Sequence, residues 1–243
     1  MSKKILIGIF SFFLFGSYSF ADEIHLATEE YPPFNIKKIS TNKSSHTATG
    51  ISVDIIQELF KRENIEYTLE FLPWIRAYNY GLKKPDYGVF STFLTPERKP
   101  LFRWVGPLVP NNWILMGKKS KYFKIKSLKD ACKYNIGGYR GDAIATFLEK
   151  KGCSVQYTSY DHQNALKLDL DRIDLWATGK LLGPYLAKKN GVSGLVEVFM
   201  IKESPMYLAL NRSFSEEFVE KLNKTLQKMK EDGTVEKIYK NYK

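Results

Sequence analysis

The stretch YGVFSTFLTPERKPLFRWVGP, residues 87–107, carries the reading of the fold. Tyr87, Gly88, Val89 and Phe90 make a short apolar strand. Ser91 and Thr92 follow, and then Thr95-Pro96-Glu97-Arg98. Threonine before proline is a helix-start signal, because Thr95 can cap and Pro96 suits the first helical position. One turn there holds Arg98 beside the end of a buried strand, which is where open α/β sheets place their ligands. Arginine grips a carboxylate through two parallel hydrogen bonds. The alternative for Arg98 is an ion pair on the surface.

Working back from this stretch, residues 23–29 alternate and read as a first strand, broken by Tyr31-Pro32-Pro33-Phe34. Residues 36–49 are polar and read as an exposed loop. Gly50 opens a helix over 52–63, with Val53, Ile56, Leu59 and Phe60 on one face. Residues 66–72 form a second strand, and Pro73 starts a helix over 74–83. Strands alternating with helices imply a doubly wound parallel sheet.

Forward of Pro107 the rhythm changes. Residues 109–112 have no period, 113–117 form a new strand and 118–126 a basic connector. The alternation then restarts, with helices over 127–133, 141–151, 161–170 and 181–190 and strands over 135–139, 154–158, 173–178 and 195–199. Residues 201–206 again lack a period, and 207–211 form a strand. Ser213 with Glu216 makes a capping-box signature. The helix that follows repeats Phe214, Phe218, Leu222 and Leu226, and needs a sheet to cover. The second unit has its own helices, so this one returns to the first. The expectation is two α/β lobes: residues 22–109 with 206–243, and residues 112–203. A two-stranded hinge near 109–112 and 203–206 would join them, with a ligand cleft between.

Residues 1–21 read as a signal peptide. Lys3 and Lys4 begin it, an apolar run over 5–15 is too short to span a membrane, and Ser19-Phe20-Ala21 is a small-x-small cleavage site. The alternative is an uncleaved anchor. No cysteine lies near Ala21 to carry a lipid, so the protein is expected to be exported to the periplasm and not as a lipoprotein. The formal net charge is +11, spread over 118–126, Lys188, Lys189 and the C-terminal helix. Nucleic-acid binding would call for a concentrated basic stripe, and none is present.

Cys132 and Cys153 each precede a strand-like run, with a helical segment between. Parallel neighbours start side by side, which brings the two within disulfide reach in an oxidising compartment. The alternative is two free thiols. Two ligands do not make a metal site, and His25, His46 and His162 are isolated, so neither metal nor cofactor is expected.

Taken together, the pattern resembles the bacterial extracellular solute-binding proteins of family 3, the periplasmic polar-amino-acid-binding class. The resemblance covers residues 22–243. It rests on Ala27-Thr28-Glu29-Glu30-Tyr31-Pro32-Pro33-Phe34, Gly50-Ile51-Ser52-Val53-Asp54-Ile55, Thr95-Pro96-Glu97-Arg98 and Lys230-Glu231-Asp232-Gly233-Thr234. Pro73-Trp74-Ile75-Arg76-Ala77 is similar to a subgroup whose ligands are often undefined.

The resemblance implies that Arg98 grips a ligand carboxylate against backbone donors at Gly141, Asp142 and Ala143. It implies a wall of Glu29, Tyr31 and Phe34, with Trp74 and Arg76 at the cleft edge. Ser91, Phe93, Arg140, Thr178 and Gly179 complete the expected set. For Tyr31, Phe34 and Trp74 the alternative is packing in the core.

Two positions depart from the family pattern. Gly179 stands where members usually place an Asp that accepts the ligand ammonium, and Asp142 stands where they usually offer a Thr hydroxyl. Asp142 could bind a cation or cap its helix. A modified amino acid, a small carboxylate or another anion would then suit Arg98 and Arg140. The functional expectation is a monomer that closes on a carboxylate-bearing solute and delivers it to an ABC importer or a sensor receptor. An enzyme on the same scaffold, similar to cyclohexadienyl dehydratases, is the alternative, with Glu29, Glu30 or Asp142 as acid or base. A third reading is a secreted interaction protein that has lost its ligand.

Overall fold

The computed structural model describes residues 24–38 and 48–242. The expected signal peptide lies outside them, as do residues 39–47 of the expected polar loop. The chain forms two α/β lobes, each on its own five-stranded sheet.

The first lobe begins with β1 (Ile24–Thr28), a two-residue pair β2 (Ile36–Lys37) and β3 (Ala48–Thr49), and helix α1 (Ile51–Arg62). Ile51, Val53, Ile55, Ile56, Leu59 and Phe60 all face inward from α1, as its apolar spacing requires. Strand β4 (Tyr67–Phe71), helix α2 (Trp74–Lys83) and strand β5 (Tyr87–Phe93) follow. β1 lies parallel between β4 and β5, with Thr28 opposite Phe71. Their carboxyl ends therefore share one edge, and the residues just beyond it are Glu29, Trp74 and Arg98.

The turn after β5 differs from the expected helix start. The Arg98 N–H bonds to Thr95 O at 3.1 Å and Thr95 Oγ1 at 3.3 Å, but only a 3-10 turn, Lys99–Leu101, follows. Beyond it comes β6 (Arg103–Pro110), a strand not expected from the sequence, whose last two residues fall in the stretch 109–112 read as without period. It is an edge strand, interrupted at Gly106-Pro107, where Gly106 N–H leaves the ladder for Asn223 Oδ1 at 3.0 Å. The interruption puts Val105, Leu108 and Val109 inside together and erases the two-residue alternation.

The second lobe runs through β7 (Trp113–Lys118), α3 (Leu128–Ala131), β8 (Ile136–Tyr139), α4 (Ala143–Lys150), β9 (Val155–Thr158), α5 (His162–Asp169), β10 (Leu175–Gly179), α6 (Leu182–Lys189) and β11 (Leu195–Lys202). β9, β8 and β10 are parallel neighbours, so Arg140, Gly141, Asp142 and Asp161 gather at one edge. Cys132 and Cys153 are bonded, with Cα atoms 4.4 Å apart, just ahead of the paired starts of β8 and β9.

The chain then returns through β12 (Pro205–Leu210) to the first sheet, in the order β4-β1-β5-β12-β6, and ends in α7 (Glu216–Glu231) and α8 (Thr234–Lys240). Neither sheet is wholly parallel: β12 runs antiparallel to β5 and β6, and β7 to β10 and β11. The cap of α7 is Ser215, whose Oγ accepts the Phe218 N–H at 3.1 Å. Ser213 instead accepts the Asp86 N–H at 3.2 Å. Helix α7 covers the first lobe, with Leu222, Leu226 and Met229 fully buried. The two crossings between lobes pair with each other, Pro110 beside Pro205 and Asn111 N–H on Ser204 O at 2.9 Å. Among the described residues no helix is long and apolar enough to cross a membrane.

Candidate functional site

The carboxyl edges of the two sheets face each other, and Gly141 is where they meet. Its carbonyl accepts two bonds from the other lobe, from Trp74 Nε1 at 3.0 Å and Arg98 Nη2 at 3.1 Å. Gly141 has φ +80°, a conformation glycine adopts without strain, and a Cβ there would sit 3.0 Å from Ile75. The Arg98 guanidinium lies 5.0 Å from the ring of Tyr78 and 5.5 Å from that of Trp74. Burial lowers its pKa, and Tyr78, Asp142, Glu97 and Glu29 offset that shift. A cation flanked by two rings at the meeting of the lobes is suited to an anionic ligand.

Near it Glu29, Asp142 and Asp161 act on one another. Glu29, just past β1, accepts a bond from Tyr139 of the other lobe at 3.1 Å. Burial raises its pKa well above the usual carboxylate range, and Asp142 and Asp161 add to the shift. Asp142 stands at the N-cap of α4 without a side-chain capping bond, its carboxyl pushed up to about 7 by burial and by Asp161. Asp161 is pushed up to about 6 by burial, and it accepts from Trp176 Nε1 at 2.8 Å, Asn164 Nδ2 at 3.1 Å and Thr178 Oγ1 at 3.2 Å. Like charges crowded away from water each disfavour ionisation. A cation entering among them would reverse that.

The remaining expected residues divide. Tyr31 is buried, its hydroxyl accepting Asn111 Nδ2 at 3.1 Å and its ring stacked 5.8 Å from Phe34. Phe34 is fully buried within the main apolar core, the packing role allowed for it. Ser91, at φ 58°, donates to Asn35 Oδ1 at 2.7 Å, and Phe93 packs edge-on to Trp113 at 5.0 Å. Arg140 is exposed at the mouth. Arg76 is exposed on α2 and makes no side-chain hydrogen bond or ion pair among the described residues. Gly179 is occupied from outside: a Cβ there would lie 2.6 Å from Asn111 Oδ1. Asn111, on the crossing between lobes, fills the place of an acceptor side chain.

Sequence reasoning passed over Tyr139, Asn111 and Asp161. Asp161 reads as a helix-starting residue, and it does precede α5. Its backbone is helical and its carboxylate turns to Trp176 and Thr178 instead of capping. The one available signal was its position directly after β9, level with Arg140 and Gly179 at the other strand ends.

Two lobes, two crossings and a cleft lined from both strand-end edges define a two-lobed binding protein. A family model describing bacterial extracellular solute-binding proteins, family 3, matches residues 24–243, and the chain belongs to that family. It is 26% identical over 250 residues to the putative ABC transporter arginine-binding protein 2 of Escherichia coli (strain K12), covering 99% of this chain and 98% of that protein. Its fold is similar to that of an ancestral arginine-binding protein bound to arginine, with TM-score 0.76, 22% identity, and coverage of 90% and 97% of the two chains. A histidine kinase sensor domain with similarity to periplasmic binding proteins shares the fold at TM-score 0.80 and 14% identity, over 91% and 96% of the chains.

Proposed function

We propose that the protein is an exported periplasmic binder of an amino acid or closely related solute bearing both a carboxylate and an ammonium, which it delivers to an ABC importer. The observation that carries this is the juxtaposition of Arg98 with Glu29, Asp142 and Asp161 at the meeting of the two lobes. Arg98 would take the carboxylate, assisted by the positive dipole end that opens α4. The three carboxylates would take the ammonium in place of the Asp missing at position 179. This reverses the weight that Gly179 placed on a plain anion. Tyr31 and Trp74 would wall the ligand, and Phe34 would support Tyr31 from the core.

The hinge would lie at residues 109–112 and 203–206, and closure would be stabilised by contacts made only when the lobes meet. The bonds from Trp74 and Arg98 to Gly141 and from Tyr139 to Glu29 are contacts of that kind. The chain is expected to act as a monomer. The relatives named for ABC transport favour an importer over a sensor as the partner.

The test is a thermal-shift screen with the common amino acids and organic acids, in which binding raises the melting temperature by linkage. Arg98→Ala should remove the shift and leave the ligand-free melting temperature within a few degrees. A shift that survives in that variant excludes Arg98 as the clamp. A second reading, an enzyme on this scaffold, draws on Asp142 and Glu29, whose raised pKa values suit general acid–base work. Product formation from prephenate or arogenate would establish it.

A further inference from the structure

The second lobe carries a basic face at its far end from the cleft. Residues 118–135 run from the end of β7 to the start of β8 and hold seven lysines against one acid, Asp130. β7 is antiparallel to β10, with Met116 opposite Trp176 and Trp113 opposite Gly179. Ile136 opens β8 opposite Leu175. The segment therefore lies at the amino ends of β8 and β10, whereas Arg140, Gly141 and Gly179 mark their cleft ends.

Along the chain, the connector 118–126 and the lysines around α3 are separate, and the fold brings them together. Tyr134 Oη accepts the Lys124 N–H at 3.3 Å, and its ring lies 5.5 Å from that of Phe123. The Lys126 N–H donates to Asp130 Oδ2 at 3.3 Å. Here the surface has a hollow of about 350 Å³ lined by Lys124, Lys126, Lys133, Asp130 and Tyr134. Asp130 is already engaged, by Lys133 Nζ at 2.9 Å and Ser127 Oγ at 2.8 Å. Asp171 takes Lys118 and Lys121, at 2.8 and 2.7 Å. Lys119, Lys124, Lys126 and Lys129 are exposed and make no ion pair among the described residues. In the same connector Tyr122 is 85% exposed.

Four uncompensated cations and a bare phenol ring suit a surface that is anionic with an apolar layer beneath it. Lysines are drawn to acidic headgroups, and tyrosine settles where one end is apolar and the other wet. Duplex nucleic acid would answer the lysines alone and offer Tyr122 no apolar layer. We propose that this face docks on a membrane surface rich in anionic phospholipid, with a phosphate headgroup in the hollow and Tyr122 at headgroup level. The cleft, at the opposite ends of the same strands, stays clear of the bilayer. The proposal takes from the solute-binding reading only that the protein is exported.

The test is co-sedimentation with vesicles, using the protein without residues 1–21 so that the apolar leader cannot itself enter the bilayer. Vesicles of equal parts phosphatidylglycerol and phosphatidylcholine should hold the protein at low salt, and phosphatidylcholine alone should not. Each lysine near an acidic surface changes partitioning about fivefold, so Lys124→Gln, Lys126→Gln and Lys129→Gln together should lower it on the order of a hundredfold. Tyr122→Ala should lower it several-fold. All four side chains are on the surface, so the melting temperature and amino-acid binding should be unchanged. Removing the same charge from the first lobe, by Lys224→Gln, Lys228→Gln and Lys237→Gln, should cost no more than several-fold.

Equal losses in the two triple variants, or equal sedimentation with both vesicle types, overturns the proposal. So does release by millimolar inorganic phosphate at constant ionic strength, which makes the hollow a site for soluble phosphate, or tighter retention on a duplex oligonucleotide than on the vesicles at the same salt. No sedimentation by a protein that still binds an amino acid removes the docking face alone. Sedimentation with the acidic vesicles by a protein that binds no amino acid removes the amino-acid reading and leaves the docking face.

Discussion

Asp142 occupies a helix N-cap, where neighbouring N–H groups normally hold a carboxylate ionised. Here the Ala143 and Ile144 amides and Arg98 do favour the charge, but burial and Asp161 outweigh them and the carboxyl is pushed up to about 7. Its folded pKa therefore exceeds its ordinary value of 3.8, so the native chain binds more protons than the unfolded one between those limits. Ligand-free stability should fall as pH rises through that window, and Asp142→Asn should flatten the fall in melting temperature. Affinity for an ammonium-bearing solute should move the other way, rising from pH 5.5 to 8 as Asp161 and Asp142 ionise. Titration calorimetry across that range checks the sign. Gly179 makes a different prediction. Because Asn111 Oδ1 would sit 2.6 Å from a Cβ at position 179, Gly179→Asp should not restore a family-like acceptor. It should destabilise the fold by about 1–3 kcal/mol through overpacking, readable in denaturant melts.

At the scale of elements, the sequence was legible wherever local chemistry and tertiary demand agree. The apolar face of α1, the strand before Glu29 and the return of α7 to the first lobe all follow from spacing. Strand β6 did not, because Gly106-Pro107 breaks its alternation and its place is fixed by long-range pairing with β12. The cap of α7 was misplaced by two residues, since Ser213 and Ser215 are both good caps. Only the fold shows that Ser213 is engaged by Asp86. Ser215→Ala should accordingly cost about 1 kcal/mol of stability, and Ser213→Ala should leave the α7 cap in place. Cys132 and Cys153 were legible from their place ahead of two parallel strands. Replacing both with serine should cost about 3 kcal/mol, measurable as a lowered denaturation midpoint. The site was legible in part. Arg98 and Glu29 follow single strands and can be found along the chain, whereas Asp161 and Asn111 matter only through partners distant in sequence.

For the whole molecule, the two sheets are oriented so that their parallel cores end on a common cleft. Glu29 and Arg98 come from the first lobe, and Asp142 and Asp161 from the second, so the proposed recognition surface is complete only where the lobes meet. Calorimetry with the amino acid selected by the thermal screen, its α-deaminated analogue and its decarboxylated analogue tests this most directly. The account predicts that the intact amino acid binds and that each one-ended analogue loses at least roughly tenfold in affinity, about the worth of one charge-assisted contact. A deaminated acid that binds as tightly as the amino acid would contradict it, leaving Arg98 as an anion clamp and the three carboxylates without a ligand.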